Sequence, residues 1–225
     1  MRKIIVTTFL TMDGVLQAPG GAAEDPANGF QWGGWQFGYP DEQTDRELAK
    51  LMNKPFDLLL GRRTYEIFSA YWPYQNDAIA GTFNQVNKYV VATTPVNTSW
   101  NHSVLISKNV VNELKQLKEQ DGPDLLVFGS SVLVQTLFAH RLVDELHTWI
   151  YPITLGKGKR LFGEGTLAQE WKMTASAVAP AGIIIASYVP AGEVKLGHFE
   201  AATISEAEME RRRKWAEEEG RNNTV

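Results

Sequence analysis

Leu58-Leu59-Leu60-Gly61-Arg62-Arg63-Thr64-Tyr65-Glu66 decides how the chain is read. Asp57–Leu60 is a short apolar run bounded by Pro55 and Gly61, the pattern of a buried strand. A helix is expected from about Thr64 to Ala70. Glycine permits a tight turn between the two. A helix N-terminus presents unpaired N–H groups and a partial positive charge. Thr64 adds a hydroxyl, and the arginines can fork onto phosphate oxygens. This is an anion cradle at the carboxyl end of a strand, where open α/β sheets bind ligands. The plainer alternative is a strand–turn–helix whose arginines are solvated or pair with Asp57 and Glu66.

Two further strand ends repeat the theme. Leu125–Phe128 is an apolar strand that runs through Gly129, Ser130 and Ser131 into a helix over Ser130–Ala139. The serines can donate to a pyrophosphate or simply cap the helix, and the run is not a GxGxxG fingerprint. Lys88–Thr93 is a third buried strand, followed by Thr94 and Pro95. Thr93 and Thr94 can meet a sugar or phosphate, or cap the turn before the proline. Taken together, three strand ends carry chemistry suited to an extended polyanion.

Outward from these junctions, residues 3–10 read as a first strand, and residues 14–40 as a long loop rich in glycine and aromatics. Asp41 to Lys54 reads as a helix, Val104–Ser107 as a short strand, and Val110, Leu114 and Leu117 mark an amphipathic helix. Glu145–Ile153 is a long strand. Lys172–Ala179 and Ile183–Val189 form a hairpin around Pro180-Ala181-Gly182. The order gives an α/β domain with helices on both faces of a mixed sheet and an antiparallel edge. Residues 1–192 form this domain. Residues 193–225 are a charge-dense extension, with a solvated helix over roughly 204–219 opened by Ser205 and Glu208. Glu208 with Arg212 and Glu210 with Lys214 are its expected ion pairs.

Composition narrows the function. The 225 residues are 44% hydrophobic and 21% charged, with net charge −4, which disfavours a broad nucleic-acid surface. No apolar run approaches the roughly 18 residues that span a bilayer. The start reads as a strand rather than a secretory signal. The absence of cysteine excludes disulfides, cysteine–zinc sites and thiol catalysis, and is compatible with a cytoplasmic address. His102, His140, His147 and His198 lack metal-ligand spacing, so no metal site is expected.

Two acids are candidate proton donors. Asp45 shares a helical stripe with Leu48, Ala49 and Met52, which would desolvate it and raise its pKa. As a first-turn acid it can also simply complement the helix dipole. Asp13-Gly14 is a turn after the first strand, beside any pocket at that sheet edge. Phe30, Trp32, Trp35, Phe37 and Tyr39, spaced by glycines, can form a lid on a flat heterocycle or cover core.

Gly61-Arg62-Arg63-Thr64, Thr93-Thr94 and Gly129-Ser130-Ser131 fall in the order of the NADPH-contacting segments of dihydrofolate reductases. Leu142-Val143-Asp144-Glu145-Leu146 and Pro152 through Phe162, with its Leu155-Gly156-Lys157-Gly158-Lys159-Arg160 core, resemble the carboxy-terminal reductase domain of bacterial riboflavin biosynthesis proteins. The resemblance leaves the tail outside. It implies a dihydrofolate-reductase-like three-layer α/β/α fold with a mixed, mainly parallel central sheet and an antiparallel C-terminal hairpin. It also implies NADPH as cofactor and a homodimer. Gly61, Arg62, Arg63 and Thr64 would hold the 2′-phosphate and pyrophosphate, with Thr93 and Thr94 beside the same 2′-phosphate. Gly129, Ser130, Ser131 and Val132 would pass under the pyrophosphate and nicotinamide ribose, and Thr8 and Phe9 would lie near the nicotinamide. Leu155, Gly156 and Gly158 would close the substrate pocket, with Gly14 and Trp32 beside them. Ser130 stands where the family has the second of two glycines, and Asp45 only approximates its substrate-binding acid. The implied activity is hydride transfer from NADPH to a small heterocycle, pterin-like or ribosylaminopyrimidine-like. Asp45, Asp13 or a water would supply the proton. The alternative is a non-catalytic nucleotide-binding or scaffolding dimer that keeps the fold.

Overall fold

The computed structural model describes residues 1–197 and 203–222. His198 therefore lies outside the described residues. The chain divides into two compact units, Met1–Glu193 and Val194–Val225.

In the first unit the strands are β1 (Ile4–Thr11), β2 (Phe56–Gly61), β3 (Lys88–Val91), β4 (Ser103–Ile106), β5 (Asp124–Phe128), β6 (Glu145–Tyr151), β7 (Glu170–Val178) and β8 (Ile184–Gly192). The helices are α1 (Glu42–Met52), α2 (Arg62–Tyr71), α3 (Ala78–Gln85), α4 (Val110–Glu119) and α5 (Ser131–Ala139). The strands form one sheet in the order β4-β3-β2-β5-β1-β6-β8-β7. From β4 to β6 every pairing is parallel. Strand β8 returns antiparallel to β6, and β7 pairs antiparallel with β8.

Alternation along the central strands explains why both faces are covered. Ile4, Val6, Leu59, Leu125 and Val127 point into one core, closed by Leu114 and Leu117 of α4 and by Leu133 and Leu137 of α5. Leu58, Leu60 and Leu126 point the other way, against Tyr65 of α2 and Phe83 of α3. Further along that second face, Trp149, Tyr151 and Ile185 pack with Trp35, and Leu48 and Leu51 of α1 lie against them. Three layers result, as the fold expectation requires.

Boundaries moved where packing outranked local signals. Helix α2 begins at Arg62, so both arginines occupy its first turn rather than a preceding loop. Helix α3 was not foreseen; Gly81 in a short segment hides its period, but Ala80 and Phe83 are buried and fix it. At the amino edge of the sheet, the Arg2 guanidinium pairs with Asp57, both side chains being nearly inaccessible. Asp57 also accepts from the Asn87 backbone N–H at 3.0 Å, so the pair is not left unsatisfied.

The second unit holds α6 (Glu206–Asn222). The Glu208 N–H donates to Ser205 Oγ at 3.2 Å, the expected cap. Glu208 pairs with Arg212, as expected, and also with Arg211. Glu210 pairs with Arg213 instead of the expected Lys214.

Lys88 begins β3 fully buried. Its Nζ donates to the carbonyls of Asn84 (3.1 Å) and Val86 (3.0 Å) and lies 4.3 Å from the Trp100 ring centroid. Burial pulls its pKa from 10.5 down to about 8, against the upward pull of Asp57. Between those two values the unfolded chain holds a proton that the folded chain has released. Stability contributed at this site therefore rises as pH climbs from about 8 to 10.5, and the full penalty applies below 8. In urea melts the parent should gain on Lys88→Met across that range; a constant gap between the two would contradict the assignment.

Candidate active site

The carboxyl ends of β1, β2 and β5, with the turn after β3, open into one cavity of about 700 Å³. Parallel strands bring their carboxyl ends to the same edge, so the three junctions singled out in sequence meet there. Gly61 through Thr64, Thr93 with Thr94, and Gly129 through Val132 all line it, as do Thr8 and Phe9.

One side chain ties two junctions together. Ser130 Oγ accepts the Gly61 N–H at 2.9 Å and lies 2.7 Å from Thr64 Oγ1, to which it donates. To reach them Ser130 takes a left-handed backbone, φ 64°, directly after Gly129 at φ 58°. A Cβ on Gly61 would stand 3.1 Å from the Ser130 Cβ, so the turn of β2 and the turn of β5 are in contact. Glycine at 61 is what permits that approach.

Charge is concentrated at the amino end of α2. Arg62 pairs with Glu66 one turn on, at 2.8 Å, and Arg63 reaches Asp25 at 2.9 Å. Lys159 also pairs with Asp25. Burial pushes the Asp25 carboxyl up, but Lys159, the Ala27 N–H and Arg63 together hold it below the usual range. Neighbouring Glu24 accepts from the Gly20 and Gly21 N–H groups at 2.6 and 3.0 Å. Burial and the nearby Asp25 nonetheless leave its pKa raised. Thr93 and Thr94 are exposed on the same rim.

The opposite end is apolar. Phe68 and Trp72 continue the face of α2 that Thr64 begins, and Phe83 of α3 and Phe128 of β5 close around them. Phe68 stacks on Phe83 at 5.7 Å, and Trp72 meets Phe83 edge-on at 5.1 Å. Thr7 lies in the floor, fully buried, and its hydroxyl has no hydrogen-bond partner among the described residues.

Several of the expected site residues lie outside the cavity lining. Asp45 is exposed and lies outside the cavity lining. The buried positions of α1 run through Thr44, one residue earlier, with Leu48, Leu51 and Met52 half-buried behind it. Asp13 also lies outside the lining. Its carboxylate accepts from Thr11 Oγ1 (2.5 Å), the Leu155 N–H (3.2 Å) and the Gly156 N–H (2.8 Å). Burial would raise its pKa, yet those bonds hold it below the usual carboxylate range. It acts as a clasp that joins the turn after β1 to the backbone of residues 155 and 156.

Gly14, Leu155, Gly156 and Gly158 belong to the same clasp and not to the lining. The Leu161 N–H donates to Gly14 O at 3.0 Å, and a Cβ on Gly158 would fall 2.5 Å from Val15 Cγ1. Trp32 stands outside, edge-on to Phe30 at 5.6 Å. Of the loop aromatics, Phe37 lines the cavity, while Trp35 is buried with its Nε1–H on Gln17 O at 2.9 Å. Asp25, Lys159 and the apolar wall were missed. The i,i+4 step from Thr64 to Phe68 was the one local signal for that wall.

These features define a dihydrofolate-reductase-like α/β protein. Dihydrofolate reductase of Enterococcus faecalis, solved with NADP(H), superposes with TM-score 0.53 at 15% identity, over 84% of this chain and 96% of that one. A pyrimidine reductase-like protein of Corynebacterium diphtheriae superposes with TM-score 0.58 at 13% identity, over 85% and 93%. The family described as RibD C-terminal domain matches residues 2–185, and the chain belongs to it. In sequence it is similar to the uncharacterized protein YyaP of Bacillus subtilis strain 168, 27% identical over 192 residues, 81% of this chain and 92% of that protein.

Ser130→Ala should destabilise the protein by about 1–3 kcal/mol, because the Gly61 N–H loses its acceptor and the left-handed strain remains. Ser130→Gly should lose less, since glycine releases that strain. Equilibrium unfolding ranks the three proteins; an alanine variant as stable as the parent would refute the bridge.

Proposed function

We propose that the protein is an NADPH-dependent reductase of a small planar acceptor. The observation that carries this reading is the meeting of three strand ends, the βα turns after β2 and β5 and the loop after β3, in one cavity that is charged at one end and apolar at the other. The residues present fit the dinucleotide. Arg62 and Arg63 offer guanidinium forks, and the first turn of α2 offers N–H groups to phosphate oxygens. Thr93 and Thr94 add hydroxyls on the rim, and Gly129 leaves room for close approach beneath the cofactor. Thr8 and Phe9 are the wall for the nicotinamide end. Family membership and the reductase folds above support the same reading.

When bound, NADPH supplies a hydride, and one proton from water completes the two-electron reduction. The chain's own task is placement. A cavity that holds donor and acceptor about 3–3.5 Å apart removes most of the entropic barrier. Asp25 competes with phosphate for Arg63 and Lys159, so binding must displace or share that carboxylate. The exposed strand β7, with Met173 and Val178 solvent-facing, supports a homodimer closed through the outer hairpin.

A second reading, nucleotide binding without turnover, is favoured by one observation: neither Asp13 nor Asp45 lines the cavity. Loss of NADPH absorbance with an added acceptor separates the two.

Arg62→Ala with Thr64→Ala should weaken NADPH binding by about 1–3 kcal/mol for each charge-assisted hydrogen bond removed, read from nicotinamide fluorescence. A double variant that binds like the parent would remove the cradle from the site. Light scattering on the purified parent should report two chains per particle; one chain would dispose of the dimer.

A further inference from the structure

Among the described residues, five ionisable side chains line the cavity: Glu24, Asp25, Arg62, Arg63 and Lys159. Arg62 pairs with Glu66 on its own helix, an exposed contact that water screens and a ligand can break at little cost. Glu24 is turned onto the Gly20 and Gly21 N–H groups. The remaining three are bound to one another. Arg63 Nη1 donates to Asp25 Oδ1 at 2.9 Å, and Lys159 Nζ donates to Asp25 Oδ2. The Ala27 N–H donates to the same Oδ1 at 3.2 Å. Two cations and a backbone N–H gathered on two oxygens are the donor set of a phosphate site.

The Asp25 side chain is 11% exposed and that of Lys159 23%, so water screens this contact little. Arg63 is 54% exposed, which leaves the cations open to a ligand. Arg63 and Lys159 bring two positive charges and Asp25 returns one negative charge. A phosphate monoester, at about −1.5 to −2 near neutral pH, matches the two cations better than the carboxylate does. Asp25 also stays close once it is displaced. Gln17 is buried; it donates from Nε2 to Asp25 O (2.9 Å) and Ala27 O (3.1 Å), and its Oε1 accepts the Lys159 N–H at 3.0 Å. Residue 25 is therefore tied beside residue 159, and its side chain competes at an effective concentration on the order of millimolar or above.

We propose that Asp25 is a built-in competitor at the anion end of the cavity: its carboxylate takes the place of two phosphate oxygens between Arg63 and Lys159, and a phosphate monoester binds by driving it off rather than by settling beside it. The contact sets a threshold that weakly held anions do not pass. It rests on the proposed assignment of this end to phosphate, and it names how that end is regulated.

The test uses the full chain and two probes titrated by calorimetry at pH 8 and constant ionic strength: methyl phosphate, a dianion there, and dimethyl phosphate, a monoanion. Asp25→Asn removes the charge and keeps an acceptor for the Ala27 N–H. Methyl phosphate should bind this variant at least about fivefold tighter than the parent. Dimethyl phosphate should gain by the same factor, because a competitor withholds the same fraction of sites from every ligand. An Asp25 that stayed in place and only repelled would act in proportion to ligand charge, so the dianion's factor would be the square of the monoanion's. Lys159→Gln added to Asp25→Asn should return methyl phosphate to about the parent's affinity. In the parent itself, methyl phosphate should speed hydrogen exchange at the Ala27 amide, which loses its acceptor. An Asp25→Asn variant that binds no tighter, a squared gain for the dianion, a gain indifferent to Lys159→Gln, or an unchanged Ala27 amide would each overturn the proposal. NADPH is titrated separately. NADPH binding without these changes sinks this proposal alone; the changes without NADPH binding sink the cofactor reading and leave the competitor standing.

Discussion

The site depends on the contact between two turns. Strands β2 and β5 are parallel neighbours, so the chain leaves both at the same edge and must turn into a helix each time. At that edge the Ser130 hydroxyl joins the Gly61 N–H to Thr64 Oγ1. The bond sets the spacing between the amino ends of α2 and α5, each with N–H groups that no intrahelical carbonyl can satisfy. Two half-open helix ends, fixed side by side, form a surface that favours an extended anion. The left-handed backbone at Ser130 is the strain this arrangement carries, and it lies where ligand chemistry is concentrated.

From that edge the cavity changes character along the length of α2. Its first turn carries two arginines and its last turn faces an aromatic cluster. One helix therefore carries charge at its first turn and faces apolar rings at its last, the order that the proposed two-part ligand would need. The loop before α1 covers the charged end and is anchored twice, by Asp25 on Arg63 and Lys159 and by the Asp13 clasp on residues 155 and 156. The first anchor would share its cations with the proposed phosphate, whereas the second is set apart from the cavity. In the proposed complex, Asp25 would couple the position of the loop to the occupancy of the anion site.

Local patterns made the junctions legible in sequence. An apolar run, then glycine, then hydroxyl or guanidinium, is a strand end opening a helix, and parallel packing guarantees that such ends converge. Long-range contacts were not legible. Asp13 looked like any turn residue, because its partners at 155 and 156 are far away in the chain. Gly156 and Gly158 look ligand-directed in sequence, yet the latter is small because Val15 and Phe30 press on it. Asp45 failed through phase. Each residue turns a helix by about 100°, so placing the buried stripe at 45 instead of 44 moves a carboxylate from wall to solvent. Helix α3 supplies part of the apolar wall, and its short, glycine-interrupted segment gave no usable period.

Hydrogen exchange read by mass spectrometry, with and without NADPH, examines the convergence most directly. Amides of Gly61–Thr64, Thr93–Thr94 and Gly129–Val132 should slow together at the same half-saturating concentration, while the distant hairpin β7–β8 stays unchanged. Protection confined to one of the three segments, or absent from all, would mean that they do not share a ligand.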